Sequence, residues 1–282
     1  MPAVFVLIWS TGFIVARFGM PHAPPMKFLL LRYGLSVLCF AVWTVLARAS
    51  MPVGLQQYRH LALTGILMHA GYLGGVWAAV KLGMGAGLAA LLVGLQPVLT
   101  AAWLVSNGAA VSVRQWSGLV LGFTGLVLVV WDKLGQGEIQ LQSLALAVGA
   151  LLCITAGTLY QKRYVTPCDV RSANLVQLAA AALVTLPLAL LETEAMRWNG
   201  SLVAAMAWSV LVLTLGGSSL LYLLIQRGAA TTVTSMLYLV PPCTAILAWL
   251  LFAEPVSLPT VAGMALTAYG VSLVVRPSRS VT

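Results

Sequence analysis

Charge is the scarcest ingredient of this sequence. Asp, Glu, Lys and Arg together make up 7% of the 282 residues, whereas a typical soluble domain contains about 25%. The 15 basic and 6 acidic side chains are too few to cover the surface of a soluble protein of this length, and 61% of the residues are hydrophobic. The shortage of charge therefore excludes a soluble globular fold and predicts a protein for which lipid is part of the solvent.

Acidic residues are the rarest charges, and none lies in the middle of an apolar segment. Buried carboxylates are the usual carriers of protons or sodium ions in membrane transporters. Their absence argues against a carboxylate relay and predicts that any transport is uncoupled or weakly coupled. It also argues against membrane-embedded proteases and phosphatases that need paired acids, and no HExxH or GxSxG motif supports an enzyme. We therefore expect no enzymatic activity.

Cysteine is also scarce, and the four cysteines are scattered without CxxC or metal-ligand spacing. Three of them lie in apolar segments, where packing is the expected role. The sequence therefore predicts neither a metal site nor a cofactor.

Long apolar segments are what the sequence has in abundance. They stay apolar throughout and do not alternate, which excludes a transmembrane β-barrel. Each is close to the roughly 20 residues that a membrane-spanning helix needs. The sequence thus predicts an all-α membrane protein with ten transmembrane helices, at about residues 3–19, 26–47, 60–80, 86–106, 115–131, 143–162, 172–191, 202–225, 231–252 and 257–275.

The distribution of charge around these segments predicts their orientation. A net charge of +9 would suggest nucleic-acid binding in a soluble protein, but here we interpret it through the excess of Lys and Arg on the cytoplasmic side of membranes. A cytoplasmic N-terminus places most of the Lys and Arg residues on that side and leaves Asp169 as its only acidic residue. Because the number of spans is even, both termini are then cytoplasmic.

An internal repeat appears when the chain is shifted by 145 residues. Eleven identities then fall in 48 positions without a gap, among them the pairs Pro97 and Pro242, Gly118 and Gly263, and Gly125 and Gly270. Each half contains five spans, an odd number, so the second half enters the membrane from the opposite side. We predict two inverted five-helix repeats around a central cavity, at 1–132 and 143–282 with a linker at 133–142, and alternating access between the two sides.

Two polar side chains lie deep in predicted spans. Arg32 is about 12 Å into the second span, at ~1.5 Å per residue, and it either anchors a substrate carboxylate, locks helices together or extends its charge to the membrane surface. His69 is the only histidine in the middle of a span. It is either a hydrogen-bonded interior side chain or a cavity residue that binds substrate or carries a proton.

Prolines interrupt two spans at equivalent places. Gln96 and Pro97 lie in the middle of the fourth span, and Pro241 and Pro242 occupy the corresponding place in the ninth. Proline frees a backbone carbonyl near the centre of the membrane. Broken helices of this kind line transport sites, although simple packing kinks are the competing interpretation.

Polar and aromatic residues gather in particular spans and would form an apolar, aromatic cavity with hydroxyl donors. Small residues also serve close helix packing, and aromatic residues near span ends form interface belts. A cavity of this composition suits a small amphipathic solute. The candidate cavity residues are Trp9, Ser10, Arg32, His69, Tyr72, Trp77, Gln96, Thr155, Thr158, Ser218, Ser219, Tyr222, Ser235 and Tyr238.

Three motifs give the chain a family resemblance: Trp9-Ser10-Thr11-Gly12-Phe13, Arg32-Tyr33 and Ala253-Glu254-Pro255-Val256-Ser257. Through these motifs and its ten predicted spans in two halves, the chain resembles the drug/metabolite transporter superfamily of the EamA type. The first half lacks the acidic residue of the last motif. The overall pattern is similar to bacterial exporters of aromatic and other neutral amino acids.

The resemblance implies an inner-membrane exporter of amino acids or related metabolites. Its central cavity would be lined by helices 1, 3, 4, 6, 8 and 9, and one chain would suffice because it contains both halves. A proton-coupled exporter of drugs or other metabolites that uses His69 is the main alternative. A membrane-embedded enzyme and a structural subunit are less well supported by the motifs and the repeat.

Overall fold

The computed structural model of the chain describes residues 2–106, 112–135, 140–226, 239–254 and 257–275. The regular elements in these ranges are helices, and two of them pass through wider π-helical segments, π1 (Ile66–Gly71) and π2 (Ser209–Ser218). The α-helices are α1 (Pro2–Gly19), α2 (Pro25–Leu46), α3 (Leu55–Gly65), α4 (Tyr72–Lys81), α5 (Ala86–Val93), α6 (Gln96–Ser106), α7 (Val113–Gly135), α8 (Leu141–Tyr164), α9 (Val170–Leu191), α10 (Gly200–Trp208), α11 (Ser219–Gln226), α12 (Val240–Phe252) and α13 (Leu258–Val275).

Seven continuous helical stretches in the described residues are long and apolar enough to cross a membrane. Three further apolar helices are shorter, at Val4–Gly19, Val240–Phe252 and Leu258–Leu273. Much of the lateral surface consists of exposed large side chains such as Leu46 and Leu190, which water would solvate poorly and lipid solvates well. The chain is therefore an all-helical, multi-pass membrane protein, and the count of ten spans stays a prediction.

The third span begins earlier than its apolar run indicates. We predicted it from residue 60, whereas α3 starts at Leu55. The extra turn is polar and is therefore invisible to hydropathy. Gln57 is buried there, and its polar amide is satisfied because it donates to the backbone carbonyl of Thr166 at 2.8 Å. A long-range hydrogen bond thus extends the helix beyond the apolar segment.

Helices α7 and α13 pack backbone against backbone through glycines. A Cβ atom on Gly125 would lie 2.5 Å from the carbonyl oxygen of Gly263, and one on Gly270 would lie 2.6 Å from that of Gly118. These two contacts exchange with each other under the offset of 145 residues. Small residues permit such close approach between helices in membranes.

The two π-helical segments also correspond under this offset. Residues 66–71 of π1 correspond to 211–216, which lie inside π2. A π-helical turn widens the helix and occurs frequently at functional sites. Here the segments carry His69 and Thr214, which are 145 residues apart and both buried.

One end of the bundle is held by a group of acidic residues that we call the carboxylate clasp: Glu192, Glu194 and Glu254. The carboxylate of Glu192 accepts hydrogen bonds from the first backbone N–H groups of α2, at Met26 (2.9 Å) and Lys27 (2.8 Å). Glu194 lies 2.8 Å from the ammonium group of Lys81. Both contacts join the second half of the chain to the first.

Glu254 makes the third contact of the clasp. Its carboxylate accepts from the backbone N–H of Ala86 at 3.0 Å, at the start of α5, and lies 3.8 Å from the guanidinium of Arg17. A carboxylate at a helix N-terminus satisfies free N–H groups and interacts favourably with the helix dipole. The clasp therefore caps two helices of the first half with acids from the second half.

The opposite end of the bundle is organised differently in the described residues. Asp169 caps its own helix, α9, and pairs with Arg171 at 2.7 Å. Hydrogen bonding to Arg171 holds the pKa of the Asp169 carboxyl below its usual value. The described contacts between halves here include a hydrogen bond between His60 and Tyr160 at 2.7 Å and the guanidinium of Arg171 over the Trp43 ring, 5.8 Å from its centroid.

Candidate functional site

A central cavity lies between α1, α2, α4 and the two π-helical segments. It holds about 490 Å³ of empty space, including its open mouth, and most of its walls are apolar. Its lining includes six of the side chains selected from the sequence, namely Trp9, Arg32, His69, Tyr72, Trp77 and Ser218. The fold thus gathers polar and aromatic residues from distant parts of the chain at one place.

Among the described residues that line this cavity, Arg32 is the only charged one. It is 4% exposed. Its Nε donates to the hydroxyl of Thr214 at 3.1 Å, and the centre of its guanidinium lies 6.0 Å from the Trp77 ring. A guanidinium has five N–H donors, and in the described part of the chain no carboxylate lies within ion-pair distance of Arg32. The site therefore carries a buried positive charge that an anionic group would complement.

His69 lies beside Arg32 in the cavity lining, on π1. Its backbone carbonyl accepts from the hydroxyl of Tyr33 at 2.9 Å, and its imidazole lies next to the side chain of Gln177. Tyr72, on the next turn, lies next to Trp9. The cavity thus brings an imidazole, a phenol and an indole close to the Arg32 guanidinium.

Trp77 has a packing role as well as a place in the cavity. Its ring stacks on Phe28 with centroids 4.5 Å apart and an angle of 25° between the planes. Only 1% of the residue is exposed. The indole therefore forms a rigid wall of the cavity, held from behind by Phe28 and facing the Arg32 guanidinium.

Gln96 and Pro97 lie at a helix interruption beside a second, smaller cavity of about 290 Å³. Helix α5 ends at Val93 and α6 begins at Gln96, with a tight turn between them. The amide of Gln96 donates to the hydroxyl of Thr158 at 2.8 Å. Gln96 on α6 and Thr158 on α8, both candidates from the sequence, are thus hydrogen-bonded to each other.

Pro241 and Pro242 occupy the first turn of α12, where proline is well tolerated because the first N–H groups have no partner within the helix. The ring of Pro241 packs at the interruption between α5 and α6, since a Cβ on Gly94 would lie 2.7 Å from its Cγ. The two proline sites are therefore in contact.

Four further candidates, Ser10, Thr155, Ser219 and Tyr222, are described by the structure and lie outside the lining of the central cavity. Ser10 and Thr155 each donate to a backbone carbonyl one turn earlier, at 2.7 Å, and Thr155 faces a separate groove. Ser219 is buried, and its hydroxyl has no hydrogen-bond partner in the described part of the chain. Tyr222 faces a third cavity and lies 3.1 Å from the Cys168 sulfur. Ser235 and Tyr238 lie outside the described residues.

This third cavity contains polar residues that the sequence did not single out. It holds about 290 Å³ of empty space, and its lining includes Gln161, Asn174 and Gln177. Trp9 lines all three of these cavities. The internal repeat was the one sequence signal for Gln177 and for Thr214, which was also not singled out. Gln177 is 145 residues after Arg32, and Thr214 is 145 residues after His69.

Comparisons with known proteins agree with this architecture. The chain is 25% identical to the uncharacterized transporter YvbV of Bacillus subtilis, over 99% of this chain and 91% of that protein. It is 26% identical to a probable amino-acid metabolite efflux pump of Salmonella typhimurium, over 56% of this chain and 51% of the pump. A solved crystal structure shares the fold with a TM-score of 0.70 at 16% identity, covering 96% of this chain and 94% of that one.

The family comparison confirms the resemblance seen in the sequence motifs. Residues 3–131 and 141–276 each match the EamA-like transporter family. Together the two matches cover most of the chain. The protein is therefore a membrane transporter that belongs to the EamA-like family.

Proposed function

We propose that this protein exports amino acids, aromatic or neutral ones, or closely related small metabolites across the bacterial inner membrane by alternating access. The observation that carries the proposal is Arg32, a buried cation without an acidic partner in the described residues, in a cavity with aromatic walls. An amino acid offers a carboxylate for the guanidinium and a side chain for the rings of Trp9, Tyr72 and Trp77. Bidentate pairing of a carboxylate with arginine is strong and directional.

The names of two relatives support the substrate class. The similar proteins of Salmonella typhimurium and Escherichia coli are named as probable amino-acid metabolite efflux pumps. Two others, including one of Escherichia coli K12, are named as inner membrane transporters. These names, together with the cavity chemistry, favour export from the cytoplasm across the inner membrane.

The repeat architecture belongs to the same proposal. Ten spans form two inverted repeats, at 1–132 and 143–282, joined by the linker at 133–142. The separate family matches to each half, the exchange of glycine contacts between α7 and α13, and the corresponding π-helical segments support it. With both halves in one chain, a single copy is sufficient for transport.

Alternating access requires one end of the cavity to close while the other opens. The carboxylate clasp ties the two halves together at the end that the proposed topology places outside the cytoplasm. In this arrangement both termini are cytoplasmic. The clasp is the closed gate of an inward-facing state.

Coupling to an ion gradient is absent or weak in this proposal. The carboxylates among the described residues lie at helix ends or between helices, at some distance in sequence from the centres of the spans. A second candidate function is proton-coupled export of a drug or another metabolite, and the position of His69 in the central cavity favours it. The two candidate functions differ in that only proton-coupled export needs a pH gradient.

Transport assays with purified protein in liposomes test the proposed function. Uptake of radiolabelled phenylalanine, leucine and alanine should exceed that of empty liposomes and should be inhibited by unlabelled amino acids. Transport of a cationic drug alone, with no amino-acid uptake and no competition, would refute the proposal and favour the second candidate.

A further inference from the structure

The hydrogen bond between Arg32 and Thr214 has a counterpart elsewhere in the fold. Adding 145 to Arg32 gives Gln177, and subtracting 145 from Thr214 gives His69. Arg32 donates to Thr214 at 3.1 Å, and the Gln177 side chain lies next to the imidazole of His69. Each pair joins a long helix of one half to the π-helical segment of the other. Gln177 therefore occupies in the second half the place that Arg32 occupies in the first.

Gln177 carries a donor that is not satisfied. Its side chain is 3% exposed, and among the described residues its amide nitrogen has no hydrogen-bond partner. That nitrogen can only donate, and it offers two N–H groups. The side chain lies next to the imidazole of His69. Buried polar groups normally have partners, which indicates that a ligand completes this one.

The backbone of Gln177 is held rigidly. A Cβ atom on Gly65 would overlap the Gln177 carbonyl oxygen, so α3 and α9 are in direct backbone contact at this residue. A donor on such a support keeps its position when a ligand binds. Fixed geometry of this kind is what a specific binding group requires.

Gln177 also faces space that adjoins the central cavity. It lines the third cavity together with Asn174 and Tyr222. Trp9, His69 and Ser218 line both this cavity and the one that contains Arg32. A solute bound to Arg32 would therefore reach the amides by passing the edge of Trp9.

We propose that Gln177 is the second ligand-binding residue of the transport site and that it selects substrates with an uncharged acceptor oxygen. This inference depends on the proposed function, in which Arg32 binds the carboxylate. An amide carries no charge, so it cannot neutralise a second anion, but it donates well to a carbonyl or hydroxyl oxygen. The preferred substrates are then small amino acids or metabolites with a side-chain amide or hydroxyl group, such as glutamine.

Glutamine and methionine are suitable probes because their side chains are similar in length and differ in the acceptor oxygen. Binding of both to the purified protein should be measured for the wild type, for Gln177→Met and for Gln177→Asn. We expect Gln177→Met to weaken glutamine binding at least tenfold and methionine binding less than twofold. Gln177→Asn keeps the amide on a shorter side chain and should give a smaller loss, again for glutamine only.

Gln56→Met is the matched control, since Gln56 is an exposed glutamine at the start of α3. It should leave both affinities unchanged. Equal losses for glutamine and methionine in both Gln177 variants, or no loss in either, would overturn the inference and mean that Gln177 is structural or binds only water. If the wild type binds neither amino acid, the proposed function itself fails and this inference fails with it.

Discussion

Glu254 caps the first turn of a helix that lies 168 residues earlier in the chain, with its carboxylate 3.0 Å from the backbone N–H of Ala86. The repeat mate of Glu254 is Ala109, so the first half of the chain has no acid at the equivalent position. Glu254 therefore has no acidic counterpart in the first half. Under the proposed topology, this asymmetry would favour closure of the end that carries the clasp.

Replacing Glu254 should loosen that end. Glu254→Gln removes the charge that caps α5 and pairs with Arg17, and loss of a helix cap costs about 1 kcal/mol, or roughly fivefold in the open fraction. In a cysteine-free background, a single cysteine at Val76 in the central cavity should react about fivefold faster with a membrane-impermeant maleimide added to cells.

Asp169→Asn is the control for this experiment because Asp169 caps only its own helix at the opposite end. It should leave the labelling rate at Val76 unchanged. If both variants label at the same rate, or if Glu254→Gln has no effect, the clasp does not control access to the cavity.

The glycine contacts between α7 and α13 predict a stability difference. Gly125→Ala places a methyl group 2.5 Å from the Gly263 carbonyl, and such overpacking costs about 1–3 kcal/mol. Gly270→Ala should cost a similar amount because its contact corresponds under the repeat. Gly149→Ala should be neutral or slightly stabilising, because among the described residues no neighbouring element lies within 4 Å of the added Cβ. Thermal unfolding in detergent measures all three, and equal unfolding temperatures would contradict the packing.

Trp77 should discriminate among ligands by size. It forms a wall of the central cavity, and an aromatic pair contributes about 0.5–1.5 kcal/mol beyond area burial. Trp77→Ala should therefore weaken phenylalanine binding roughly tenfold more than alanine binding, as measured by calorimetry. Trp43→Ala, at a half-exposed tryptophan in α2, should affect neither. Equal losses for both ligands would show that Trp77 serves packing alone.

Ion gradients should not be required for transport. Without a carboxylate in the middle of a predicted span, uptake into liposomes should follow the substrate gradient at equal pH and in the absence of sodium. The initial rate with and without an imposed pH gradient checks this expectation. Strict dependence on the proton gradient would contradict it and assign proton transfer to His69.

Much of the fold was predictable because apolar length alone marks a membrane helix. The central cavity was predictable in part, since Arg32, His69 and Trp77 stand out within apolar segments. The polar turn that starts α3 was missed because its stability comes from a contact 109 residues away, between Gln57 and Thr166. Gln177 was missed for a similar reason. A glutamine in an apolar helix has no assigned direction until the neighbouring helices are in place.

The internal repeat contains information about the site that the sequence analysis did not use. The offset of 145 residues connects Arg32 to Gln177 and His69 to Thr214 without any coordinates. What it could not supply is that the pairs cross over in the fold, where Arg32 lies next to Thr214 and Gln177 lies next to His69. Those contacts depend on the packing of α2 and α9 against the π-helical segments.

The most direct test of the account is the affinity of Arg32→Gln for phenylalanine and for phenethylamine, the same molecule without its carboxylate. Hydrogen bonds to charged groups contribute about 1.5–3 kcal/mol, so phenylalanine should bind roughly 10- to 150-fold more weakly while phenethylamine is little affected. Arg59→Gln, at an exposed arginine, should change neither. Equal weakening of both ligands by Arg32→Gln, or unchanged affinity for phenylalanine, would contradict the assignment of Arg32 as the carboxylate-binding residue.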